Sequence, residues 1–271
     1  MRSSTACLAA AILIIGGCKG GGDGGQRLML TGSSTVAPLA TEIARRFEAR
    51  HPGVRVDVQM GGSSRGMADA RQGLCDIGMM SRALKPGEED LTATTIAHDG
   101  IGIIVHADNP VAALEREQII GIYKGAMTSW AEVGGGQGAI TVVNKAEGRS
   151  TLELFLEHFG LKNSEVKAHV VIGDNEQGVL TVAGNPNAIG YVSIGTAESD
   201  VAHGVPIKLV RLGEVEASSS KVKAGSYPLS RPLNLVTGAR TSKLAQEFIA
   251  FASSAEVKDL VQGAYFVPPT P

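Results

Sequence analysis

The chain has 271 residues, of which 43% are hydrophobic and 19% charged, and its formal net charge is −2. This length can form one large domain or two lobes, each with its own hydrophobic core. The nearly balanced charge argues against nucleic acid or an acidic polymer as a partner, so a site for an anion has to be built from a few local groups.

The N-terminal residues predict an export signal followed by a lipid anchor. Arg2 supplies positive charge, and the apolar stretch at residues 6–15 is too short to cross a bilayer as a helix. It runs into Ile15-Gly16-Gly17-Cys18, which resembles the bacterial lipobox, whose cysteine is diacylated and becomes the mature N-terminus. We expect a lipoprotein signal peptide at residues 1–17 and an exported protein anchored to the bacterial membrane through Cys18, facing the periplasm or the cell exterior. The alternative is an ordinary secretory signal with a chance cysteine.

The residues after the signal predict a tether and leave one cysteine without a partner. Residues 18–26 are rich in glycine, which is typical of a flexible linker. Of the three cysteines, Cys7 leaves with the signal and Cys18 carries the lipid, so Cys75 has no partner for an intramolecular disulfide. We interpret Cys75 as a buried free thiol, with a nucleophile as the alternative.

From residue 27 onward, short β-branched runs alternate with helical patterns, which indicates an α/β fold with mostly parallel strands. The first part of this pattern predicts strands at 28–30, 54–59 and 76–79 and helices at 38–50 and 67–72. A strand at 101–105 is apolar enough to be buried on both faces, and we interpret it as a strand that crosses between two lobes.

The second part of the chain repeats the pattern. It predicts helices at 114–123, 150–159, 244–251 and 257–262, strands at 140–143, 189–193, 207–212 and 233–237, and a loop at 218–220. The last two helices would return to the first lobe. We therefore assign residues 27–104 and 230–271 to lobe 1 and residues 105–229 to lobe 2.

Three segments share one design, in which a cluster of Gly, Ser and Thr lies between a strand and a helix. They are residues 31–35, 61–66 and 147–151, and the last two each contain an arginine. Free backbone N–H groups and hydroxyls at the positive end of a helix suit a compact anion. One such cluster could simply cap its helix, but three that converge could surround a tetrahedral anion without a metal or any other cofactor. The six histidines show no metal-ligand spacing.

These clusters belong to a wider set of stretches in which the chain resembles the PstS-like phosphate-binding family of ABC-transporter receptors. The stretches are residues 32–38, 62–64, 75–81, 130, 144–151, 187–192 and 227–229, and the resemblance covers nearly the whole mature chain. It implies a two-lobed periplasmic-binding-protein fold of type II, with mixed, mostly parallel sheets and an interlobe cleft. It also implies a receptor, not an enzyme, that captures inorganic phosphate or a related tetrahedral oxyanion and delivers it to an ABC permease in the membrane. We expect it to act as a monomer.

The resemblance also implies ligand contacts, residue by residue. From the first lobe they are Ser34, Thr35, Ser63 and Ser81, and from the second lobe Ser150 and Thr151. Further candidates are Ser33, Ser64, Asp76 and Lys145. Lys145 occupies the position of the family's arginine, and Glu147 stands where an acidic partner of that arginine often lies.

Two arginines depart from the family's pattern. Familiar members read Gly-Ser-Gly-Thr where this chain has Gly148-Arg149-Ser150-Thr151, and they have a proton-accepting aspartate where this chain has Arg82. We expect Arg82 and Arg149 to contact the anion. Without that aspartate, sulfate should compete with phosphate unless another carboxylate takes its place, and Asp76, Asp57 and Glu147 are the candidates.

One motif supports a different function. Residues 62–66 match Gly-x-Ser-x-Gly in the strand-turn-helix setting of a hydrolase nucleophile. The alternative function is therefore a serine esterase with Ser64 as nucleophile, Asp174 as acid and His203 as base. A receptor of the same fold that signals rather than transports is a further alternative. We interpret Trp130 as a core residue and not as a stacking platform for a ligand.

Overall fold

The computed structural model describes residues 25–269. The predicted signal peptide, Cys18 and most of the tether lie outside the described residues. Within the described part, no helix is both long enough and apolar enough to cross a membrane.

Ten strands and nine α-helices alternate along the described chain. The strands are β1 (Gln26–Gly32), β2 (Val54–Met60), β3 (Ile77–Met80), β4 (Thr92–His106), β5 (Ala113–Leu114), β6 (Thr141–Lys145), β7 (Val170–Ile172), β8 (Ala188–Ser193), β9 (Ile207–Leu212) and β10 (Ser230–Thr237). The helices are α1 (Ala37–Arg50), α2 (Ser63–Gln72), α3 (Arg116–Tyr123), α4 (Ser150–Phe159), α5 (Asn175–Ala183), α6 (Ile194–Ala202), α7 (Ser219–Lys223), α8 (Lys243–Ala252) and α9 (Lys258–Gly263).

The strands form one sheet in the order β2-β1-β3-β10-β4-β8-β6-β7, with β9 also paired to β4. Five strand pairs are parallel and four, all involving β4 or β10, are antiparallel. Residues 92–100 of β4 pair with β10, whereas residues 101–106 pair with β8 and β9. The long strand β4 therefore joins two lobes, and the α/β two-lobed fold expected from the sequence is confirmed.

The partners of β4 change between Gly100 and Ile101, so the predicted lobe boundary at 104/105 lies within the part of β4 that pairs with the second lobe. The predicted return at residue 230 coincides with the start of β10. Near this point the two crossing segments are hydrogen-bonded to each other: the Ile101 N–H donates to the Leu229 carbonyl at 3.0 Å, and the Tyr227 hydroxyl donates to the Ile101 carbonyl at 2.8 Å.

Each lobe has a separate apolar core. In the first lobe, α1 places Leu39, Ile43 and Phe47 at a helical spacing of four against the sheet and against Phe248 of α8. In the second lobe, the apolar core includes Trp130, which is 1% exposed and donates from Nε1 to the Asn187 carbonyl at 3.0 Å. The assignment of Trp130 to the core is confirmed.

Three short helices differ from the sequence-based expectation. The predicted loop at 218–220 is wrong, because the Ser218 side chain accepts a hydrogen bond from the Lys221 N–H and so caps α7. Helices α5 and α6 were not expected. Each begins at a capping side chain, Asp174 and Ser193 respectively, and the apolar residues of α5 show little helical periodicity.

Candidate functional site

The three Gly/Ser/Thr clusters all precede helices, as predicted. Helices α1, α2 and α4 begin directly after or within them. Gly62, before α2, has a φ of 92°, which a residue with a side chain rarely adopts. A fourth helix, α5, begins at Asn175 and points its N-terminus to the same place, as the contacts below show. The N-terminal ends of helices favour negative charge.

A buried arginine joins these helix ends. Arg231 of β10 is 2% exposed, and its Nη1 donates to the Thr151 hydroxyl at 2.8 Å and to the Ser81 hydroxyl at 3.4 Å. Its Nη2 donates to the Thr35 hydroxyl at 3.3 Å. One guanidinium therefore contacts three predicted ligand hydroxyls, two from the first lobe and one from the second.

Asp99 holds Arg231 in this position. The two residues lie directly opposite each other on β4 and β10, and Asp99 Oδ2 accepts from Arg231 Nε at 3.2 Å and Nη2 at 2.9 Å. Asp99 Oδ1 accepts from the Gly195 N–H at 3.2 Å. Both side chains are almost fully buried, and a buried charge requires such a partner. Sequence reasoning missed this pair, although a charged residue stands at the edge of an apolar run in both strands.

The remaining predicted serines differ in what their hydroxyls do. Ser63 Oγ accepts from the Ser81 N–H at 3.2 Å, and Ser33 Oγ accepts from the N–H groups of Thr35 and Val36. These two hydroxyls thus shape the loops that carry Ser81 and Thr35. Ser150 Oγ is buried and has no hydrogen-bond partner among residues 25–269, whereas Ser34 is half-buried.

Asn175 is a second site residue that the sequence did not reveal. It is 4% exposed, and its Nδ2 donates to the Thr35 hydroxyl at 3.2 Å and to the Thr196 hydroxyl at 3.4 Å. Asn175 belongs to the second lobe and Thr35 to the first, so this contact crosses the cleft. The only sequence signal was the Asp174 cap that precedes it.

The second lobe contributes two further cations, Lys145 and Arg149, and the charges of Arg149 and Arg231 both act on Lys145. Lys145 is 3% exposed, and its Nζ donates to the Asp174 carbonyl at 3.1 Å. Burial, together with the charge of Arg231, lowers the pKa of Lys145 to about 7. Arg149 reaches across the cleft to the backbone of Gly62, where an added Cβ would stand 2.9 Å from Arg149 Cδ, and its Nε is buried without a hydrogen-bond partner in the described chain.

The guanidinium of Arg82 is directed to two carboxylates. Its Nη1 and Nη2 each donate to the Glu88 carboxylate at 2.8 Å, and its Nε lies 3.2 Å from Glu153 Oε2. This guanidinium lowers the pKa of Glu88. Two carboxylates therefore lie against the Arg82 guanidinium in this arrangement, and contact of Arg82 with the anion stays a prediction.

The carboxylates suggested as substitute proton acceptors also lie elsewhere. Asp76 precedes β3 and accepts from the Met29 N–H at 2.8 Å, at the opposite end of that strand from Ser81. Asp57 pairs with Arg27, and the exposed Glu147 accepts from Asn163. Asp99 lies beside Arg231, the guanidinium that donates to the hydroxyls of Thr35, Ser81 and Thr151.

The residues named for an esterase are not assembled into a triad. Ser64 Oγ donates to Glu153 at 3.4 Å, the Asp174 side chain caps α5, and His203 Nδ1 contacts the Ser199 carbonyl. A nucleophile needs its base within hydrogen-bond reach, and these three residues do not contact one another. Cys75 is a buried free thiol whose pKa is raised by that burial, as expected for a residue without a nucleophilic role.

Hydroxyls of both lobes thus meet at the buried Arg231, and the amide of Asn175 joins them through Thr35. Such donors can replace the hydration shell of a compact anion without a metal ion. No group of three or more potential metal ligands occurs in residues 25–269.

Comparison with known proteins gives a consistent picture. Residues 19–256 match the model of the PBP superfamily domain. A phosphate ABC transporter substrate-binding protein from Clostridium perfringens, whose crystal structure contains bound phosphate, is 32% identical over 90% of this chain and 100% of its own, with a TM-score of 0.84. An ABC-type phosphate transport receptor from Vibrio cholerae is 31% identical over the same shares, with a TM-score of 0.73. The phosphate-binding protein PstS of Bacillus subtilis is 24% identical over 90% of this chain and 81% of its own.

Proposed function

The chain belongs to the PBP superfamily and, within it, to the PstS-like phosphate-binding proteins, and we propose that it is an extracytoplasmic receptor that binds inorganic phosphate and delivers it to an ABC permease. The observation that carries this proposal is the contact of Arg231 with Thr35, Ser81 and Thr151. A guanidinium surrounded by hydroxyl donors matches the charge and the tetrahedral acceptor geometry of phosphate.

The proposed ligand set follows from the residues around Arg231. It comprises Arg231, the hydroxyl groups of Thr35, Ser81, Ser150 and Thr151, the N-terminal backbone of α1, α2 and α4 with Ser34 and Ser63, the amide of Asn175, and the cations Lys145 and Arg149. Ser150 Oγ and Arg149 Nε are buried donors without a partner in the described chain, which supports their inclusion. Buried donors of this kind are costly unless a ligand satisfies them.

Calorimetric titration of the purified protein with phosphate, arsenate, sulfate and molybdate tests this function. We expect the tightest binding for phosphate or its isostere arsenate. Thr151→Val should weaken phosphate binding by about 1 to 3 kcal/mol, because a donor to the charged ligand is lost while the packing volume is kept. If phosphate released no heat and did not raise the melting temperature, the proposal would fail.

We also propose that the receptor is exported and held at the membrane by lipid on Cys18, in keeping with the lipobox at residues 15–18. Stable anchoring needs at least two acyl chains, and the lipidated Cys18 would carry them. Cys18→Ser should therefore move the protein from the membrane fraction to the soluble periplasmic or extracellular fraction. A variant that still sediments entirely with membranes would contradict the lipid anchor.

A further inference from the structure

Glu153 contacts the opposite lobe with its whole carboxylate. It lies in the first turn of α4 in the second lobe. Its Oε2 accepts from Lys85 Nζ at 2.8 Å and lies 3.2 Å from Arg82 Nε, and its Oε1 accepts from the Ser64 hydroxyl at 3.4 Å. All three partners belong to the first lobe.

The partners of Glu153 are the sequence neighbours of proposed ligand residues. Arg82 follows Ser81, Ser64 follows Ser63, and Glu153 is two residues after Thr151. Contact between Glu153 and these partners therefore brings the loops of both lobes together at Arg231. The three partners direct their side chains to Glu153, and the Ser64 N–H adds a backbone contact across the cleft by donating to the Gly148 carbonyl at 3.2 Å.

Burial makes these contacts stronger than ordinary surface ion pairs. The Arg82 side chain is 5% exposed and that of Glu153 26% exposed, whereas Lys85 is 45% exposed. Glu88 also pairs with Arg82 and stays with it in the first lobe, so Arg82 keeps a counter-charge when the lobes separate. When the cleft opens, Glu153 therefore loses these three partners, whereas Arg82 keeps Glu88.

We infer that Glu153 is a positioning residue that acts as a closure latch: it stabilises the closed arrangement of the lobes through Arg82, Lys85 and Ser64 without touching the anion. The latch raises phosphate affinity by increasing the fraction of the protein that is competent to enclose the ligand. It also gives Arg82 a function other than ligand contact. The effect on phosphate affinity rests on the proposed function, whereas the effect on lobe closure does not.

The first test compares Glu153→Gln with Glu157→Gln. Glu157 lies one turn later on α4, is exposed, and forms no ion pair within residues 25–269, so it controls for the loss of one negative charge. We expect E153Q to bind phosphate about 3- to 30-fold more weakly than wild type and E157Q to bind as wild type does. Equal affinity of E153Q and E157Q would overturn the latch.

A double-mutant cycle assigns the effect to the contact itself. Lys85→Met should weaken phosphate binding in the wild-type background and have little or no effect in E153Q, because its partner carboxylate is then already neutral. Equal, additive losses in both backgrounds would show that Lys85 and Glu153 act separately and would contradict the proposal.

Small-angle X-ray scattering of the ligand-free proteins tests the latch independently of phosphate. At low salt the wild type should be more compact than E153Q, and this difference should vanish in about 1 M NaCl, where the screening length is about 3 Å. Identical radii of gyration at low salt would overturn the ligand-independent latch even if phosphate binds. If the wild type does not bind phosphate but is still more compact than E153Q at low salt, the latch is supported and the proposed function is contradicted.

Discussion

Arg231 carries a positive charge into the interior at the point where the lobes meet. Asp99 offsets that charge, but it accepts only from the Nε–H and from one N–H of Nη2. The remaining donors point to hydroxyls that are themselves able to donate to an anion. At the scale of a single residue, the site is therefore organised by one planar, always charged group with its orientation fixed by a carboxylate.

Replacement of Arg231 by lysine should impair binding although the charge is kept. A lysine ammonium has three donors on one nitrogen, whereas Arg231 spreads five over a planar fork that reaches Asp99, Thr35, Ser81 and Thr151. We therefore expect phosphate affinity to fall by about 1.5 to 3 kcal/mol, or about 10- to 150-fold. Calorimetry measures the change, with the exposed Arg240→Lys as the matched control. Wild-type affinity in R231K would remove Arg231 from the ligand set.

Lys145 predicts a pH dependence of binding. Its pKa of about 7 means that the free protein loses this proton above neutral pH. An anion beside the amine raises that pKa, so the bound form keeps the proton, and binding becomes weaker as pH rises above 7. The Lys145→Arg variant keeps its positive charge over the whole of this pH range, because arginine does not lose its proton there. The affinity ratio of K145R to wild type should therefore increase between about pH 7 and pH 9.

The comparison with K145R cancels the protonation of phosphate itself, which is the same for both proteins. Calorimetry in buffers of different ionisation enthalpy should show that the wild type takes up more protons than K145R at pH 8, by up to about one per ligand. A constant affinity ratio across this range would mean that Lys145 does not face the bound anion.

At the scale of elements, α2 depends on close approach to the sheet. Gly66 packs directly on β1 and β3: a Cβ at this position would lie 2.6 Å from the Thr31 carbonyl oxygen and 2.9 Å from that of Met79. Backbone atoms cannot move aside as a flexible side chain can. The absence of a side chain at Gly66 thus lets the N-terminus of α2, with Ser63, reach the site.

Gly66→Ala should therefore destabilise the protein despite the higher helix propensity of alanine. We expect a loss of about 1 to 3 kcal/mol, together with weaker phosphate binding as α2 shifts. Gly121→Ala in α3 is the control, because its Cβ would meet only the Met127 side chain, at 3.1 Å. Denaturant midpoints compare the two variants, and an unchanged midpoint for G66A would show that α2 can move without cost.

At the scale of the whole molecule, two segments connect the lobes, the centre of β4 and the residues that lead into β10. They are tied together by Tyr227 and Ile101, so the lobes can rotate about one hydrogen-bonded pair of segments. The proposed ligand residues come from both sides: Thr35 and Ser81 from the first lobe and Thr151 and Asn175 from the second. This arrangement predicts a hinge motion in which the anion is enclosed between the lobes.

Saturating phosphate should therefore shift the population toward the closed form. We expect the radius of gyration measured by small-angle scattering to decrease on addition of phosphate. The decrease should be larger in Glu153→Gln, whose ligand-free form starts more open. An unchanged radius in both proteins would contradict the hinge.

The sequence by itself determined the α/β class, most helices and strands, and the three helix ends that carry small polar residues. These features are local: apolar periodicity, capping residues and glycines act over a few positions, as in α4, where the predicted and observed bounds agree. The resemblance to the PstS-like family added Ser81 to the residues of these helix ends, and the structure brings Thr35, Ser81 and Thr151 together at Arg231. Short helices such as α5 and α7 were missed because their caps are strong but their apolar pattern is weak.

Only the tertiary structure decided which charges meet. Arg231 and Asp99 are far apart in sequence and become partners because β10 and β4 pair in a particular register. Arg82 follows Ser81 in the same loop, yet its side chain contacts Glu88 and Glu153. A buried guanidinium is stabilised by nearby carboxylates, and one of these two, Glu153, belongs to the other lobe. Ion pairing depends on distance in space and on burial, and neither is set by position along the chain.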